Sequence, residues 1–416
     1  MTYRPRVVDT ELRERLAASG AVLIEGPRAS GKTETARQVA ASEVLLDTDV
    51  QARLAISIDP SLVLAGATPR LLDEWQVEPT IWNHVRRAVD ERREVGQFIL
   101  TGSAVPTDDA TRHPGAGRFS RLRMRTMSLY ETGHSNGQIS LRGLLAGDPA
   151  RAADPGTTLD GIVERIAVGG WPGVIGLPVP AALRRVSDYL DEVRRVDLRR
   201  LDGPNHDPAR VGRVLRAIAR GVASPVAATT IAADAGGAEG PLDADTVRAY
   251  LEALERVMVT EDQPAWAPHL RSRSILRSSP KRHLADPSLA VAALQAGPDR
   301  LVTDLSLLGH LFESLVVHDL RVHAQALDAQ VLHYRDNTGS EVDAIVELRD
   351  GSWAAFEIKL GSGGIDQGAA SLHRFVERVD QARVGAPRVL GVITAFGYGY
   401  VRPDGVAVIP IGTLGP

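Results

Sequence analysis

Two of the three lysines in this 416-residue chain stand where an amine does chemistry, and arginine supplies the other 45 of its 48 basic side chains. Lys32 closes Gly26-Pro27-Arg28-Ala29-Ser30-Gly31-Lys32-Thr33, which fits the phosphate-loop pattern G-x-x-x-x-G-K-[ST]. Lys359 closes Glu357-Ile358-Lys359, the E-x-K end of a nuclease-type metal site. A compact ammonium whose pKa responds to burial is not interchangeable with a planar, permanently charged guanidinium. The lysines therefore point to a nucleotide site near one end and a metal site near the other.

In the first pattern, main-chain N–H groups of Arg28, Ala29, Ser30, Gly31, Lys32 and Thr33 would wrap phosphates, with Gly26 and Pro27 shaping the entry to the loop. Lys32 would reach the β and γ oxygens, and the Thr33 hydroxyl would ligate Mg2+. Forty residues on, Leu71-Leu72-Asp73-Glu74 supplies the acidic element: Asp73 for the Mg2+ shell, Glu74 to polarise an attacking water. The alternative is a solvated acidic pair at a helix start. Thr101 and Ser103 stand where a polar group senses a γ-phosphate or caps a turn. Arg118 is a candidate arginine finger, in cis or in trans, set against a plain surface charge. Asp47 and Asp49 end a strand beside the loop and could equally be caps.

In the second pattern, Glu357 and Lys359 project from one face of a strand. Asp343 on the preceding strand would face Glu357, and the two carboxylates could share Mg2+. Lys359 would then activate water or steady a scissile phosphate. Glu313, on the helix before, is a further ligand candidate. The plainer reading of E-x-K is a cross-strand charge pair. Lys281-Arg282-His283, after Arg271, Arg273 and Arg277, reads as a nucleic-acid contact or a charged linker.

The elements that must position these groups follow from periodicity. Ala21–Glu25 is an apolar run suited to a buried parallel strand, and a helix runs from Lys32 to about Ala41. Strands at 43–47, 70–74 and 96–103 alternate with a helix at 81–93, and 121–127 reads as an edge strand. That alternation predicts a doubly wound parallel sheet over residues 1–150. Residues 151–285 read as helical, with a long helix at 183–201 and a winged-helix module over 208–266. Residues 286–416 read as helix, three strands, helix and strand. Zero cysteines exclude disulfides and thiolate metal sites and fit a reducing cytosol. No apolar run approaches the roughly 20 residues of a membrane helix, and a formal charge of −4 carries no whole-chain signature of nucleic-acid binding.

With those residues in place, the chain resembles the bacterial and archaeal AAA-type ATP-binding proteins with a C-terminal domain of unknown function related to PD-(D/E)XK nucleases. The resemblance rests on the loop at 26–33, Leu72-Asp73-Glu74-Trp75-Gln76, Leu100-Thr101-Gly102-Ser103-Ala104 and Gly117-Arg118. It continues through Gly169-Gly170-Trp171-Pro172, Asp286-Pro287-Ser288-Leu289, Glu341-Val342-Asp343 and Glu357-Ile358-Lys359. The chain departs from the pattern at 225–245, which is rich in Ala and Gly, and at 123–127, which lacks a proline. The resemblance implies a P-loop α/β fold of AAA type, ATP rather than GTP, Mg2+, and a nuclease-like C-terminal α/β domain. It leaves open an ATPase, an ATP-regulated nuclease acting on DNA or RNA, and a non-catalytic switch that docks a protein partner or assembles as a homo-oligomer.

Overall fold

The computed structural model describes residues 2–103, 115–198, 207–237, 240–267, 279–336 and 339–416. Its contacts group into two compact units. One comprises Met1–Thr126, Val196–Asn205 and Ala253–Val259; the other comprises Met127–Arg195, His206–Glu252 and Thr260–Pro416.

The first unit alternates helices and strands: α1 (Val8–Ala18), β1 (Ala21–Glu25), α2 (Lys32–Arg37), β2 (Ser42–Leu45), α3 (Val50–Ile58), α4 (Ser61–Leu64), β3 (Arg70–Asp73), α5 (Ile81–Arg92), β4 (Phe98–Gly102) and β5 (Phe119–Arg123). The strands form one sheet in the order β2-β3-β4-β1-β5, every neighbouring pair parallel. Successive side chains of a strand point to opposite faces, and here both faces are apolar. Ala21 and Leu23 join Leu72, Phe98 and Leu100 in one core. Val22 and Ile24 join Leu71 and Ile99 in the other. Each such aliphatic side chain contributes roughly 1.5–3 kcal/mol on burial, which is why these strands read as unbroken hydrophobic runs. The sheet is the expected parallel one. The helix after the loop stops at Arg37, short of Ala41, because the Ala41 N–H is taken by the Pro69 carbonyl at 2.8 Å.

The second unit opens with α6 (Leu129–Thr132), β6 (Ile139–Ser140), α7 (Leu141–Ala146), α8 (Leu159–Val168) and α9 (Val179–Glu192). The helix expected over 183–201 gives way at Val193–Asp197 to a π-helical turn, and Leu201 lies outside the described residues. Next come α10 (Pro208–Arg220), α11 (Ala228–Ala235) and α12 (Ala244–Arg256), the three helices of the expected order, the last turn of α12 from Ala253 belonging to the first unit. Isolated antiparallel bridges follow between Ser224 and Arg282, Thr260 and Leu284, and Gln263 and Lys281. Arg271, Arg273 and Arg277 lie outside the described residues. After them come α13 (Pro287–Ala293), α14 (Pro298–Leu301), α15 (Leu305–Gln325), β7 (Gln330–Arg335), β8 (Glu341–Glu347), β9 (Trp353–Lys359), α16 (Ile365–Arg378), α17 (Gln381–Val384), β10 (Leu390–Thr394), β11 (Tyr400–Val401), β12 (Ala407–Pro410) and β13 (Leu414–Gly415). Six of these strands form a mixed sheet, β11-β12-β10-β9-β8-β7.

Two motifs fix each other within this unit. The Gly170 N–H donates to Asp286 Oδ2 at 2.9 Å, and Trp171 Nε1 donates to Ser288 Oγ at 3.0 Å. Glycine is required at 170, where a Cβ would sit 1.9 Å from the Met127 carbonyl oxygen. Asp286 also caps α13 through the Ser288 N–H. These two quoted sequence motifs are thus a structural latch.

Candidate functional site

The loop between β1 and α2 opens at the carboxyl ends of β1, β3 and β4, the end of a parallel sheet where ligands bind. Its turn needs left-handed backbone at Ala29 (φ 62°) and Gly31 (φ 100°). It also needs close contact at Gly26, where a Cβ would lie 2.1 Å from the Met124 carbonyl oxygen. Lys32 is 5% exposed, and its Nζ donates to the carbonyls of Gly26 (2.9 Å) and Pro27 (2.8 Å). Burial pushes its pKa down to about 8 with help from Arg28, while Glu74 and Asp73 oppose the shift. Arg28 pairs with Asp197 at 2.8 Å. The Ser30 hydroxyl is buried with no hydrogen-bond partner, an orphaned donor on the phosphate side of the sequence pattern.

Asp73 ends β3 and meets Thr33, whose hydroxyl donates to its Oδ1 at 2.8 Å. Thr101, on β4, donates to the same oxygen and accepts the Glu74 N–H at 3.3 Å. Glu74 takes up a left-handed backbone (φ 53°) just past the strand. Its carboxylate is held by Gln76 Nε2 and, at 3.3 Å, by the Ser103 hydroxyl. Thr33, Asp73, Glu74, Thr101 and Ser103 are therefore drawn into one hydrogen-bonded group beside Lys32. A hydroxyl and a carboxylate in contact form a hard-oxygen pair that fits Mg2+ bound partly through phosphate and water oxygens.

Not every expected residue converges. Arg118 precedes β5, and the Ala21–Phe119 register puts it at the opposite end of the sheet from the loop. There it pairs with Asp90 at 2.8 Å, so contact with a nucleotide in its own loop is excluded. Asp49 is a cap, accepting the Ala52 N–H at the start of α3.

In the second unit, the β8–β9 register, Ala344 opposite Phe356, brings Asp343 level with Glu357. Lys359 Nζ lies 2.6 Å from Glu357 Oε2 and 3.7 Å from Asp343 Oδ2. Burial, then Asp343, push Glu357 up to about 7. Burial alone would lower Lys359, but Asp343 and Glu357 outweigh it and hold the ammonium above its ordinary range. Glu313 joins the group from α15, raised to about 8 by burial and by Asp343.

The residue that sequence reasoning missed is Lys281. It is neither a linker charge nor a nucleic-acid contact. Its side chain is 1% exposed, and its Nζ reaches Glu313 Oε1 (2.6 Å), Glu341 Oε1 (2.8 Å) and Asp343 Oδ1 (3.3 Å). Burial pulls its pKa down, but Asp343, Glu313 and Glu341 together outweigh that and keep it charged. The rarity of lysine was the available signal. Among the described residues no group of three or more His, Asp or Glu side chains is arranged to hold a metal ion. Asp343 and Glu357, the pair expected to share a divalent ion, thus stand together, with Lys281 on Asp343 Oδ1 and Lys359 beside Glu357.

A family model described as an AAA domain matches residues 18–133. Two domains of unknown function match further on, DUF8612 over residues 159–300 and DUF4143 over residues 308–414. The chain thus carries an AAA domain followed by a C-terminal DUF4143 domain. It is 27% identical over 370 residues to uncharacterized proteins of Mycobacterium tuberculosis and Mycobacterium bovis, covering 86% of this chain and 74% of each relative. Among solved structures it is similar to a Walker-type ATPase of Pyrococcus abyssi at 14% identity and a TM-score of 0.42, covering 70% of this chain and 99% of that one. It is also similar to the Aeropyrum pernix Orc1 protein in complex with DNA, at 14% identity and a TM-score of 0.26, covering 73% and 95%. Among the described residues no helix is long and apolar enough to cross a membrane.

Proposed function

We propose that this chain binds and hydrolyses ATP at Gly26–Thr33. The observation that carries the reading is that Thr33, Asp73, Thr101 and Glu74 are hydrogen-bonded into one group at the mouth of the loop. Lys32 is held by loop carbonyls, which are neutral acceptors, so an anionic phosphate would be a better partner for its ammonium. Thr33 and Asp73 would hold Mg2+, which supplies charge neutralisation at the phosphates when bound. Glu74, steadied by Gln76 and Ser103, orients the attacking water and accepts its proton. Thr101 positions Asp73 and, through the Glu74 N–H, the turn that aims the general base.

The test is ATP turnover beside ATP affinity in Glu74→Gln, with and without Mg2+, DNA and RNA. We expect unchanged affinity and turnover lowered about 10²- to 10⁴-fold, the range of general-base catalysis. Near-normal turnover would assign the base elsewhere.

We take residues 1–150 as the ATPase domain, 151–285 as a helical and winged-helix domain, and 286–416 as a nuclease-like domain, in a cytoplasmic protein. Arg118 would act only on a nucleotide held by a second copy. One observation favours an ATP-regulated nuclease as a second reading: Asp343, Glu357 and Lys359 meet on two paired interior strands of one sheet. DNA or RNA would then be the substrate, and Mg2+-dependent cutting lost in Lys359→Ala would establish it.

A further inference from the structure

Lys281 belongs to no motif, yet it is the most enclosed ammonium in the second unit, at 1% exposure. We propose that Lys281 is the resident cation of the C-terminal acid cluster, standing where a divalent ion would sit among Glu313, Glu341 and Asp343 and closing that cluster to metals. The inference is independent of the ATPase reading and bears against the nuclease one.

The arrangement of the carboxylates is the first support. Glu341 and Asp343 stand two residues apart on one strand and so share a face, while Glu313 arrives from α15. All three place an oxygen on the one Nζ, at 2.8, 3.3 and 2.6 Å. Converging carboxylate oxygens are what a hard cation requires, and an ammonium with three N–H donors satisfies all three.

The second support is that both Asp343 oxygens already face donors. Oδ1 faces Lys281, and Oδ2 accepts the Ile358 N–H at 2.9 Å with Lys359 Nζ at 3.7 Å. A divalent ion here would have to displace a donor and then lie against a like charge in a buried, weakly screened setting.

The third support is that the position of Lys281 is set by main chain. It exchanges both backbone hydrogen bonds with Gln263, at 2.9 and 3.0 Å. The Gln263 side-chain amide in turn donates to the carbonyls of Leu332 (2.9 Å) and Asp343 (3.0 Å). Two residues on, His283 is held between Ser314 (3.1 Å) and Gln263 (3.3 Å). The backbone that carries the ammonium is therefore held in place by its antiparallel bridge to Gln263.

The experiment titrates Mn2+ into the nucleotide-free full chain, reading bound ion by electron paramagnetic resonance, in wild type, Asp343→Asn and Lys281→Met. Methionine keeps much of the side-chain length and removes the charge. We expect wild type and Asp343→Asn to bind the same number of ions, since the cluster holds none. Lys281→Met should gain a site, at least about tenfold tighter than any in wild type, as four carboxylates face only Lys359. A wild-type Mn2+ ion lost in Asp343→Asn overturns the proposal, as does a folded Lys281→Met that gains none. Should Lys281→Met fail to fold, the comparison of wild type with Asp343→Asn decides alone.

Discussion

Lys32 and Lys281 are both buried ammoniums, yet they sit in opposite electrical settings. Lys32 leans on two loop carbonyls with Asp73 and Glu74 at longer range, and burial leaves its pKa near 8. Lys281 is gripped by three carboxylates, which reverse the effect of burial. Burial alone disfavours the charged form of a lysine; opposite charges at contact restore it. The first site therefore holds a cation short of anions, and the second holds a cation fully supplied. One is built to receive a ligand and the other is complete.

The largest way to break this contrast is Lys281→Ala. It would leave Glu313, Glu341 and Asp343 facing one another without their ammonium, and removing one partner of a buried ionic cluster costs about 3–5 kcal/mol. Denaturant unfolding would measure it, and an undiminished stability would make the two lysines alike. Lys32→Ala should do the reverse, leaving the fold intact while weakening ATP binding about a hundredfold, or roughly 2.7 kcal/mol. Calorimetric titration would read it, and unchanged affinity would remove the phosphate-loop assignment.

The smallest effect sharpens the contrast through pH. Glu357 and Glu313 have folded pKa values raised to about 7 and about 8, above the unfolded carboxylate value. Their contribution to stability is therefore complete below about pH 4.5 and is lost as pH rises through those values. The buried His283 and His333, both pushed down by burial, work in the opposite sense below about pH 6.5. A difference measurement cancels them. Relative to wild type, Glu357→Gln should gain melting temperature steadily from pH 5 to pH 8. A flat difference would mean that Lys359 already neutralises Glu357.

How far these sites could be read from residues alone follows from the same contrast. The phosphate loop is largely local: Gly31 is set by its own left-handed dihedral, and only Gly26 answers to a distant carbonyl, that of Met124, so eight letters suffice. Asp73 and Thr101 were reachable because each ends an unmistakable buried strand. The strand–helix order of the C-terminal sheet was legible for that reason too, and with it the meeting of Asp343, Glu357 and Lys359. Lys281 was not, because its partners lie 32, 60 and 62 positions away, on a helix and a strand that reach it only through the pairing of residue 281 with Gln263. Arg118 was left open between a finger and a surface charge for a similar reason. Its letter is right for a finger, but strand register, which no local pattern reports, decides which end of the sheet it occupies.

Arg6 is hydrogen-bonded to two carbonyls at once, Ser30 in the loop (2.9 Å) and Arg125 (2.8 Å), which stands just before the chain crosses from the first unit to the second at Thr126. The guanidinium is a short strut between the phosphate cradle and the covalent exit of its unit. A single guanidinium thus ties the Ser30 turn to the main chain at Arg125, so neither can shift without breaking a hydrogen bond to the other's anchor.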